Sequence, residues 1–121
     1  MTRFQISSKQ LTRADLTVLG PGYSGAPGHV DDASAMSEKS VGPIPIGSWT
    51  IGAPVDLPVL GPFCLPLKPE LGTETFGRGG FWIHGDNDKH DESASHGCIV
   101  TARAIREEIW SDPDHLLLVV E

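Results

Sequence analysis

The sequence has few cysteines and no cluster of basic residues. Its two cysteines, Cys64 and Cys98, are too few for the disulfide framework of a small secreted domain. The nine lysines and arginines are scattered along the chain and are outnumbered by 16 acidic residues, which gives a formal net charge of −7. Nucleic-acid binding and adhesion to anionic membranes both need clustered cations, so the composition argues against both.

Long hydrophobic runs are also missing. The longest uninterrupted one, residues 116–120, is far too short to span a bilayer. Residues 1–8 have no apolar core like that of a signal peptide. We therefore expect a soluble chain with no membrane insertion and no encoded N-terminal signal peptide. If it acts outside the cytosol, another route must carry it there.

Glycine and proline, by contrast, are abundant, with 14 and 10 copies among 121 residues. Most of them lie between residues 20 and 85, where no long helix can form, because proline removes a backbone donor and glycine costs backbone entropy. A helix bundle and a coiled coil are therefore excluded, and the lack of a three-residue glycine period excludes collagen. Hydrophobic residues make up 39%, enough for the core of a single domain over residues 1–121.

The hydrophobic pattern predicts a mainly β fold. Short apolar or β-branched segments bounded by turn residues predict strands at residues 3–6, 15–19, 47–51, 80–84 and 115–120. Residues 7–13 and 21–40 are polar and are interpreted as connections. The five prolines of residues 53–69 favour irregular chain with one short edge strand near residues 63–67.

One helix is predicted near the C-terminus. Ile105 and Ile109 are four residues apart with polar residues between them, which is typical of an amphipathic helix. The pattern predicts a helix over residues 102–110, capped by Thr101 and ended before Pro113.

Residues able to do chemistry concentrate between residues 81 and 100. A thiol there is a candidate nucleophile, because a neighbouring imidazole and a nearby helix N-terminus both favour the thiolate. Cys98 would be that nucleophile, with His84 or His96 as its base. Gly97 would let the chain turn sharply, expose the sulfur and direct main-chain N–H groups at an oxyanion.

Other interpretations stay open on residue types alone. Cys98 would then be a buried, inert thiol and His84 a hydrogen-bonded packing residue, while Cys64 is interpreted as a core residue. The same window also supplies permitted zinc ligands, namely His84, His90, His96 and Cys98. Their spacing matches no CxxC or HxxxH pattern, which disfavours zinc.

The pairing of Ile83-His-Gly85 with Ser95-His-Gly-Cys98 resembles the signature of the L,D-transpeptidase catalytic domain family, bacterial peptidoglycan enzymes with a cysteine nucleophile. Ser24-Gly25 and the segment GPIPIGSWTI at residues 42–51 resemble its compact branch, the type VI secretion L,D-transpeptidase effectors. The sequence departs from the wider family in a short spacer of ten residues before Ser95 and in Val100, where an arginine is usual. The resemblance implies an L,D-transpeptidase-like β-sandwich or mixed sheet with one short C-terminal helix.

The resemblance also implies roles for individual residues. Cys98 would be the nucleophile and His84 the base, oriented through a main-chain carbonyl at or beside Gly85. His96 would lie close to the thiol and shape the site, and Gly97 would turn the chain at the nucleophile.

The implied reaction is acyl transfer on peptidoglycan stem tetrapeptides, without a cofactor or a metal. The bond before the terminal D-alanine would be cleaved (L,D-carboxypeptidase action), or the D-alanine exchanged for another D-amino acid. Ser95 would fix the site loop, Arg78 would bind a substrate carboxylate, and Asp86, in an acidic loop over residues 86–92, would meet the amine of the substrate's diamino acid.

The implied setting is that of a secreted antibacterial effector acting in the periplasm of a target bacterium. Its partners would be an immunity protein and the secretion machinery, besides peptidoglycan itself. The alternatives are a non-catalytic cell-wall-binding domain of the same fold and a small zinc-binding protein.

Overall fold

The computed structural model describes residues 1–89, 91 and 93–121. Across these residues the chain forms ten strands, a single α-helix and a 3-10 turn. The strands are β1 (Thr2–Gln5), β2 (Gln10–Arg13), β3 (Val18–Pro21), β4 (Tyr23–Ser24), β5 (Gly47–Ile51), β6 (Val55–Leu57), β7 (Gly61–Pro69), β8 (Trp82–His84), β9 (Ile99–Val100) and β10 (Leu116–Val120); the helix is α1 (Arg103–Ser111) and the 3-10 turn is Ala33–Ala35. The prediction of a mainly β fold with one helix near the C-terminus is confirmed.

The strands form one mixed sheet that curls on itself. Their order is β3-β2-β1-β10-β5-β7-β8-β9-β4, with β6 paired to β7 outside this path. Two pairs are parallel, β1 with β10 and β8 with β9. Because β3 and β4, the two ends of the order, are separated in the chain only by Gly22, the edges of the sheet are drawn towards each other.

Apolar side chains from the sheet and from α1 share one core. Trp49, Ile83, Ile99 and Ile109 are fully buried and come from β5, β8, β9 and α1. The Trp49 ring meets Phe81 edge-on, with 5.0 Å between the ring centroids. The core therefore backs directly onto β8 and β9, the strands that lead to His84 and follow Cys98.

The N-terminal hairpin was only partly predicted. Residues 10–13, expected in a connection, form β2, and the expected strand at 15–19 is observed as Val18–Pro21. Leu11 is fully buried on β2, but its neighbours in the sequence are polar, so residues 10–13 show no hydrophobic pattern that would predict a strand. The turn between β1 and β2 is short, and Lys9 adopts a φ of 59° in it. The longer connection expected from the sequence would not have required this conformation.

The prediction of a short edge strand within residues 53–69 was wrong. Instead of a short edge strand, β7 has nine residues and lies between β8 on one side and β5 with β6 on the other. Pro66 sits where β7 changes partner from β6 to β5, and its carbonyl accepts a hydrogen bond of 2.8 Å from the Gly52 N–H. In an antiparallel sheet, the N–H and C=O of one residue point to the same side of the strand. Pro66 has no N–H to donate, and its position between the β6 and β5 pairings is one where no ladder hydrogen bond from that N–H is needed.

The remaining boundaries moved by a few residues. The helix begins at Arg103 rather than at 102, and its N-cap is Ala102, which makes no side-chain capping bond. Thr101, the expected cap, instead donates its hydroxyl to Pro21 O at 2.8 Å. Within the part of the chain that is described, no helix has the length and apolar character needed to cross a membrane.

Candidate active site

The parallel pair β8 and β9 brings His84 and Cys98 to neighbouring segments of the chain. Ile83 aligns with Ile99, and His84 aligns with Val100. Ile83 and Ile99 are fully buried in the core. Cys98 directly precedes β9. Because side chains alternate between the two faces of a strand, we expect His84 and Cys98 to lie on the face opposite Ile83 and Ile99.

His84 is enclosed and is oriented by the residue that follows it. Its side chain is 2% exposed, and its Nδ1 lies 2.8 Å from Gly85 O. A carbonyl only accepts, so Nδ1 carries the hydrogen and Nε2 is left as the proton acceptor. Burial is the main cause that lowers the pKa of His84 below 6.5; the Arg106 charge adds to this, while Gly85 O and Asp86 oppose it.

Cys98 is a half-buried thiol whose surroundings favour the protonated form. Its Sγ lies 3.7 Å from Gly80 O. Burial raises the pKa of Cys98 above 9.0, and the Trp82 N–H and the Arg78 charge offset this only in part. The expected resting thiolate is therefore not favoured. α1 begins only at Arg103, after β9, so Cys98 does not open the helix.

Two buried serines hold the turn that precedes the nucleophile. Ser95 Oγ donates to Cys98 O at 2.6 Å and accepts from the Gly97 N–H at 3.1 Å and the Gly25 N–H at 2.9 Å. Ser24 Oγ donates to Gly97 O at 3.1 Å. Gly97 has a φ of 134°, which glycine tolerates and other residues rarely adopt. Its N–H points to Ser95, so it is not directed at an oxyanion as expected.

Arg78 is buried beside the same turn rather than lying at the surface. Its side chain is 7% exposed, and its guanidinium carbon lies 5.0 Å from the centroid of the Phe81 ring. Its Nη1 donates to Met36 O and, at 2.8 Å, to Pro43 O. Its Nη2 donates to Gly42 O at 2.8 Å. Most of its donors are thus used inside the protein, which leaves little of the guanidinium for a substrate carboxylate.

Asp86 lies at the start of the spacer between His84 and Ser95 and is linked to its end through Tyr23. Its Oδ1 accepts hydrogen bonds from the Tyr23 hydroxyl at 2.8 Å and from the Asn87 N–H at 2.9 Å. The same Tyr23 oxygen accepts from the Ala94 N–H at 3.1 Å. Tyr23 therefore ties together the two ends of the acidic loop. Glu92, the fourth acid of this loop, lies outside the described residues.

Two small cavities flank the pair of reacting residues. A cavity of about 200 Å³ is lined by Cys98, the exposed His96 and Lys39, among others. A second, of about 210 Å³, is lined by His84 and by Val59 from the turn between β6 and β7. Neither is large, so we expect each to hold one part of an extended substrate.

A third cavity, of about 570 Å³, is larger but touches neither Cys98 nor His84. It lies against the start of α1 and shares only Gly85 and Asp86 with the His84 cavity. Its walls are mostly apolar, with Val100 and Ile105 among them. The largest of these three cavities is therefore not one that adjoins the proposed reacting residues, Cys98 and His84.

No set of three His, Cys, Asp or Glu side chains among the described residues is arranged to hold a metal ion. Of the four ligands considered for zinc, His90 lies outside the described residues.

Comparison with known proteins identifies the family and the fold. The family model of the Tlde1 domain matches residues 20–116. The chain belongs to the Tlde1 domain family. Its fold is similar to the crystal structure of Mycobacterium tuberculosis L,D-transpeptidase 1, with a TM-score of 0.56 and 16% sequence identity over 99% of this chain. This chain spans 58% of the length of that relative. A comparison with curated proteins gives no significant match.

The resemblance noted in the sequence to L,D-transpeptidases and to their effector branch is thereby confirmed. Three residues that shape the site of this Tlde1 domain were not predicted to do so. Ser24 and Tyr23 lie in a segment interpreted as a loop, and Arg106 was placed on the polar face of the helix. Ser24 and Tyr23 form β4, which pairs with β9. That pairing brings Ser24 to the turn before Cys98 and Tyr23 to the acidic loop. The sequence marked Ser24 only as part of the family resemblance, without a role, and gave no signal for Tyr23.

Proposed function

We propose that this Tlde1 domain is a cysteine-dependent peptidoglycan-modifying enzyme. It would act as an L,D-carboxypeptidase, as an L,D-transpeptidase that exchanges D-amino acids, or as both. The observation that carries the proposal is the parallel pairing of β8, which ends at His84, with β9, which directly follows Cys98, together with Nδ1 of His84 hydrogen-bonded to Gly85 O and Nε2 left to accept a proton. The family and fold neighbours described above support the same chemistry.

The first half of the reaction forms a thioester. The thiol hydrogen of Cys98 turns from Gly80 O towards Nε2 of His84, which accepts the proton as sulfur attacks the carbonyl carbon before the terminal D-alanine. The C–N bond then breaks, and D-alanine leaves with the proton from His84 on its amine. A protonated resting thiol and a neutral imidazole are the forms that this step needs.

The second half resolves the thioester. Water or the amine of another D-amino acid attacks the acyl carbon, His84 takes a proton from the attacking group, and the C–S bond breaks to regenerate the Cys98 thiol. Water gives the shortened stem peptide, and an amine gives the exchanged one. The choice depends on which nucleophile reaches the cavities beside His84 and Cys98.

The sequence-based roles for Ser95, Arg78 and Asp86 in binding substrate stay predictions. Each of these side chains already has partners within the protein. Asp86 lines the His84 cavity, where it would meet a substrate amine, and Arg78 lines the Cys98 cavity. We also propose that residues 1–121 act as one catalytic domain, because β1 and β2 complete the sheet formed by the matched residues.

The family supports an effector setting for this activity. We propose that the enzyme is delivered by secretion machinery to the periplasm of a target bacterium, where stem peptides are accessible. Producer cells would need an immunity protein against it. Targeting wild-type and Cys98→Ala chains to the periplasm of a test bacterium, and measuring survival, checks this setting: only the wild type is expected to be toxic.

The catalytic proposal predicts that one cysteine is essential and the other is not. Purified wild-type protein, Cys98→Ala and Cys64→Ser are incubated with tetrapeptide muropeptides, with and without an added D-amino acid, and the products are followed by mass spectrometry. Wild type and Cys64→Ser should yield tripeptide or exchanged products. Cys98→Ala should lose activity on the order of 10⁴-fold or more, because the nucleophile is gone.

Cys64 is the matched control because it is also a free cysteine but is fully buried in β7. Serine at this position keeps a donor for Gly61 O, which the Cys64 thiol approaches at 3.3 Å. Equal turnover by wild type and Cys98→Ala would refute Cys98 as the nucleophile. Tight peptidoglycan binding without products would instead favour a cell-wall-binding domain.

A further inference from the structure

Two arginines are buried against the two glycines of the catalytic signature. A Cβ atom placed on Gly85 would lie 2.9 Å from Nη1 of Arg106, and one placed on Gly97 would lie 2.5 Å from Nη2 of Arg78. Arg106 is 4% exposed and Arg78 is 7% exposed. The glycine after His84 therefore packs against one guanidinium group, and the glycine before Cys98 packs against the other.

Both guanidinium groups are satisfied by main-chain carbonyls. Arg106 donates from Nε to Phe63 O at 3.0 Å, from Nη1 to Thr101 O at 2.6 Å and from Nη2 to Pro62 O at 3.3 Å. It therefore joins α1 to β7 and to the residue that follows β9. The carbonyl partners of Arg78 all lie between Met36 and Pro43, in the segment that leads into β5.

A buried charge without a carboxylate partner is costly, and an apolar side chain would fill the same volume at lower cost. Every hydrogen bond from these two groups that joins described residues ends on a carbonyl oxygen of the main chain. A planar guanidinium carries its donors on three nitrogens and can fix well-separated carbonyls at once, whereas the donors of lysine all lie on one nitrogen and a hydrophobic residue has none. Such a group suits a role in holding backbone geometry.

Gly85 shows the connection to catalysis most directly. Its φ is not positive, so its backbone conformation does not require glycine. Space disfavours a side chain, because a Cβ atom would lie 2.9 Å from Nη1 of Arg106 and one of the two groups would have to shift. The carbonyl of Gly85 accepts from Nδ1 of His84 and so sets which nitrogen of the base is free. The Arg106 guanidinium thus packs against the residue whose carbonyl orients the imidazole.

We propose that Arg106 and Arg78 are positioning residues, Arg106 for the base through Gly85 and Arg78 for the nucleophile through Gly97. This inference rests on the proposed function for its kinetic consequences. It assigns Arg78 to the fixing of the Cys98 turn in place of a substrate carboxylate. It also gives Arg106, which the helical pattern placed at the surface, a role in the site.

The kinetic test uses Arg106→Lys and Arg78→Lys, which keep the charge but lose the planar fork. Both should lower kcat on the order of 100-fold with KM nearly unchanged, since small misplacements of reacting groups have effects of this size. Arg103→Lys, an exposed arginine of the same helix paired with Glu107, should keep wild-type kinetics. If Arg78→Lys instead raises KM with kcat unchanged, Arg78 binds substrate and its positioning role is refuted.

A stability control separates positioning from general loss of structure. Ile109→Val removes one methylene from a fully buried residue of α1 and lowers the melting temperature without touching either arginine. The lysine variants should lose far more kcat than Ile109→Val, assayed well below all melting temperatures. If variants of equal stability lose kcat equally, the inference is wrong.

A double-mutant cycle tests the contact at Gly85 itself. Gly85→Ala should lower kcat because its methyl group displaces the guanidinium. Combined with Arg106→Lys, whose thinner side chain leaves room, the added methyl group should cost clearly less than it does alone. Multiplicative effects of the two changes would overturn the proposed route through Gly85.

A readout without substrate keeps this inference separate from the proposed function. The rate of Cys98 alkylation by iodoacetamide is measured against pH for wild type, Arg78→Gln and Arg106→Gln. The Arg78 charge helps to lower the pKa of Cys98, so Arg78→Gln should move the alkylation curve to higher pH. Arg106→Gln should leave that curve in place. If wild type fails on muropeptides but these shifts hold, only the proposed function fails; an unchanged Arg78→Gln curve overturns the role of Arg78.

Discussion

At the scale of single residues, the site combines a base kept neutral and a thiol kept protonated. Burial drives both effects, since it disfavours the charged form of His84 and of Cys98 alike. Neither shift favours an ion pair of His84 with Cys98. In the proposed reaction, proton transfer therefore accompanies attack on the substrate.

This arrangement predicts the pH dependence of the reaction. The acid limb of kcat/KM should have its midpoint below 6.5, because the pKa of His84 is lowered and only its neutral form accepts the thiol proton. No limb from thiolate formation should appear below 9.0, because the pKa of Cys98 is raised. The measurement is kcat/KM across a pH series, and an acid midpoint above 6.5 would contradict the assignment of the base.

Melting temperatures recorded over the same series serve as the control. Neutral His84 is favoured in the folded state, so the unfolded chain binds its proton more readily just below pH 6.5. His84 therefore contributes stability above 6.5 that is lost as the pH falls towards the lowered value. Activity loss counts as titration of the base only where the protein is still folded.

Sequence reasoning could name His84 and Cys98 as candidate reacting residues because the family signature consists of short contiguous segments. It did not find Arg106, because an arginine between Ile105 and Ile109 follows the usual rule for a solvent-facing position. Its burial depends on the carbonyls of Pro62 and Phe63, which no helical pattern reports. Side-chain roles set by distant main-chain groups are invisible to local periodicity.

At the scale of elements, prolines misled the prediction and glycines did not. β7 accepts Pro66 in its interior because its neighbours change there, and this exchange of partners exists only in the folded sheet. β5, in contrast, was predicted with its observed bounds, Gly47–Ile51. Its turn residues and its alternation are local features.

The segment before β5 offers a test of a glycine needed for space. A Cβ on Gly42 would lie 1.8 Å from Ala35 O, so Gly42→Ala should destabilise the fold by about 1–3 kcal/mol or more. It should also lower activity, since Gly42 O is a partner of Arg78. Urea denaturation measures the first effect.

Gly79→Ala is the matched control, since a Cβ there meets nothing within 4 Å and its φ is not positive. Its free energy of unfolding should stay within about 0.5 kcal/mol of wild type. If Gly42→Ala and Gly79→Ala lower the free energy of unfolding by similar amounts, the backbone around Gly42 moves to accommodate the added methyl group and glycine is not needed there for space.

At the scale of the whole molecule, the first strands are as integral as the family-matched residues. Phe4 and Leu11 are fully buried and come from β1 and β2, outside the matched range of 20–116. Phe4 aligns with Val119 on one side and with Leu11 on the other. The core therefore extends across the boundary of the family match.

This predicts a large effect from a residue far from the site. Phe4→Ala should lower the free energy of unfolding by about 3–5 kcal/mol, because it leaves a cavity in the core. Val18→Ala, on β3 and 58% exposed, should change it by less than about 0.5 kcal/mol. Chemical denaturation of both variants provides the comparison, and a small effect at Phe4 would show that β1 adds little to the core.

The parallel pairing of β1 with β10 also has a consequence in time. Among the described strands, β1 is made first and its parallel partner, Leu116–Val120, is made last. A nascent chain can form the β1–β2 hairpin early, but the other side of β1 stays unpaired until β10 has left the ribosome. Pairing β1 with β10 is a contact of high sequence separation and therefore slow to form. The sheet that holds His84 is thus completed only after β10 has been made.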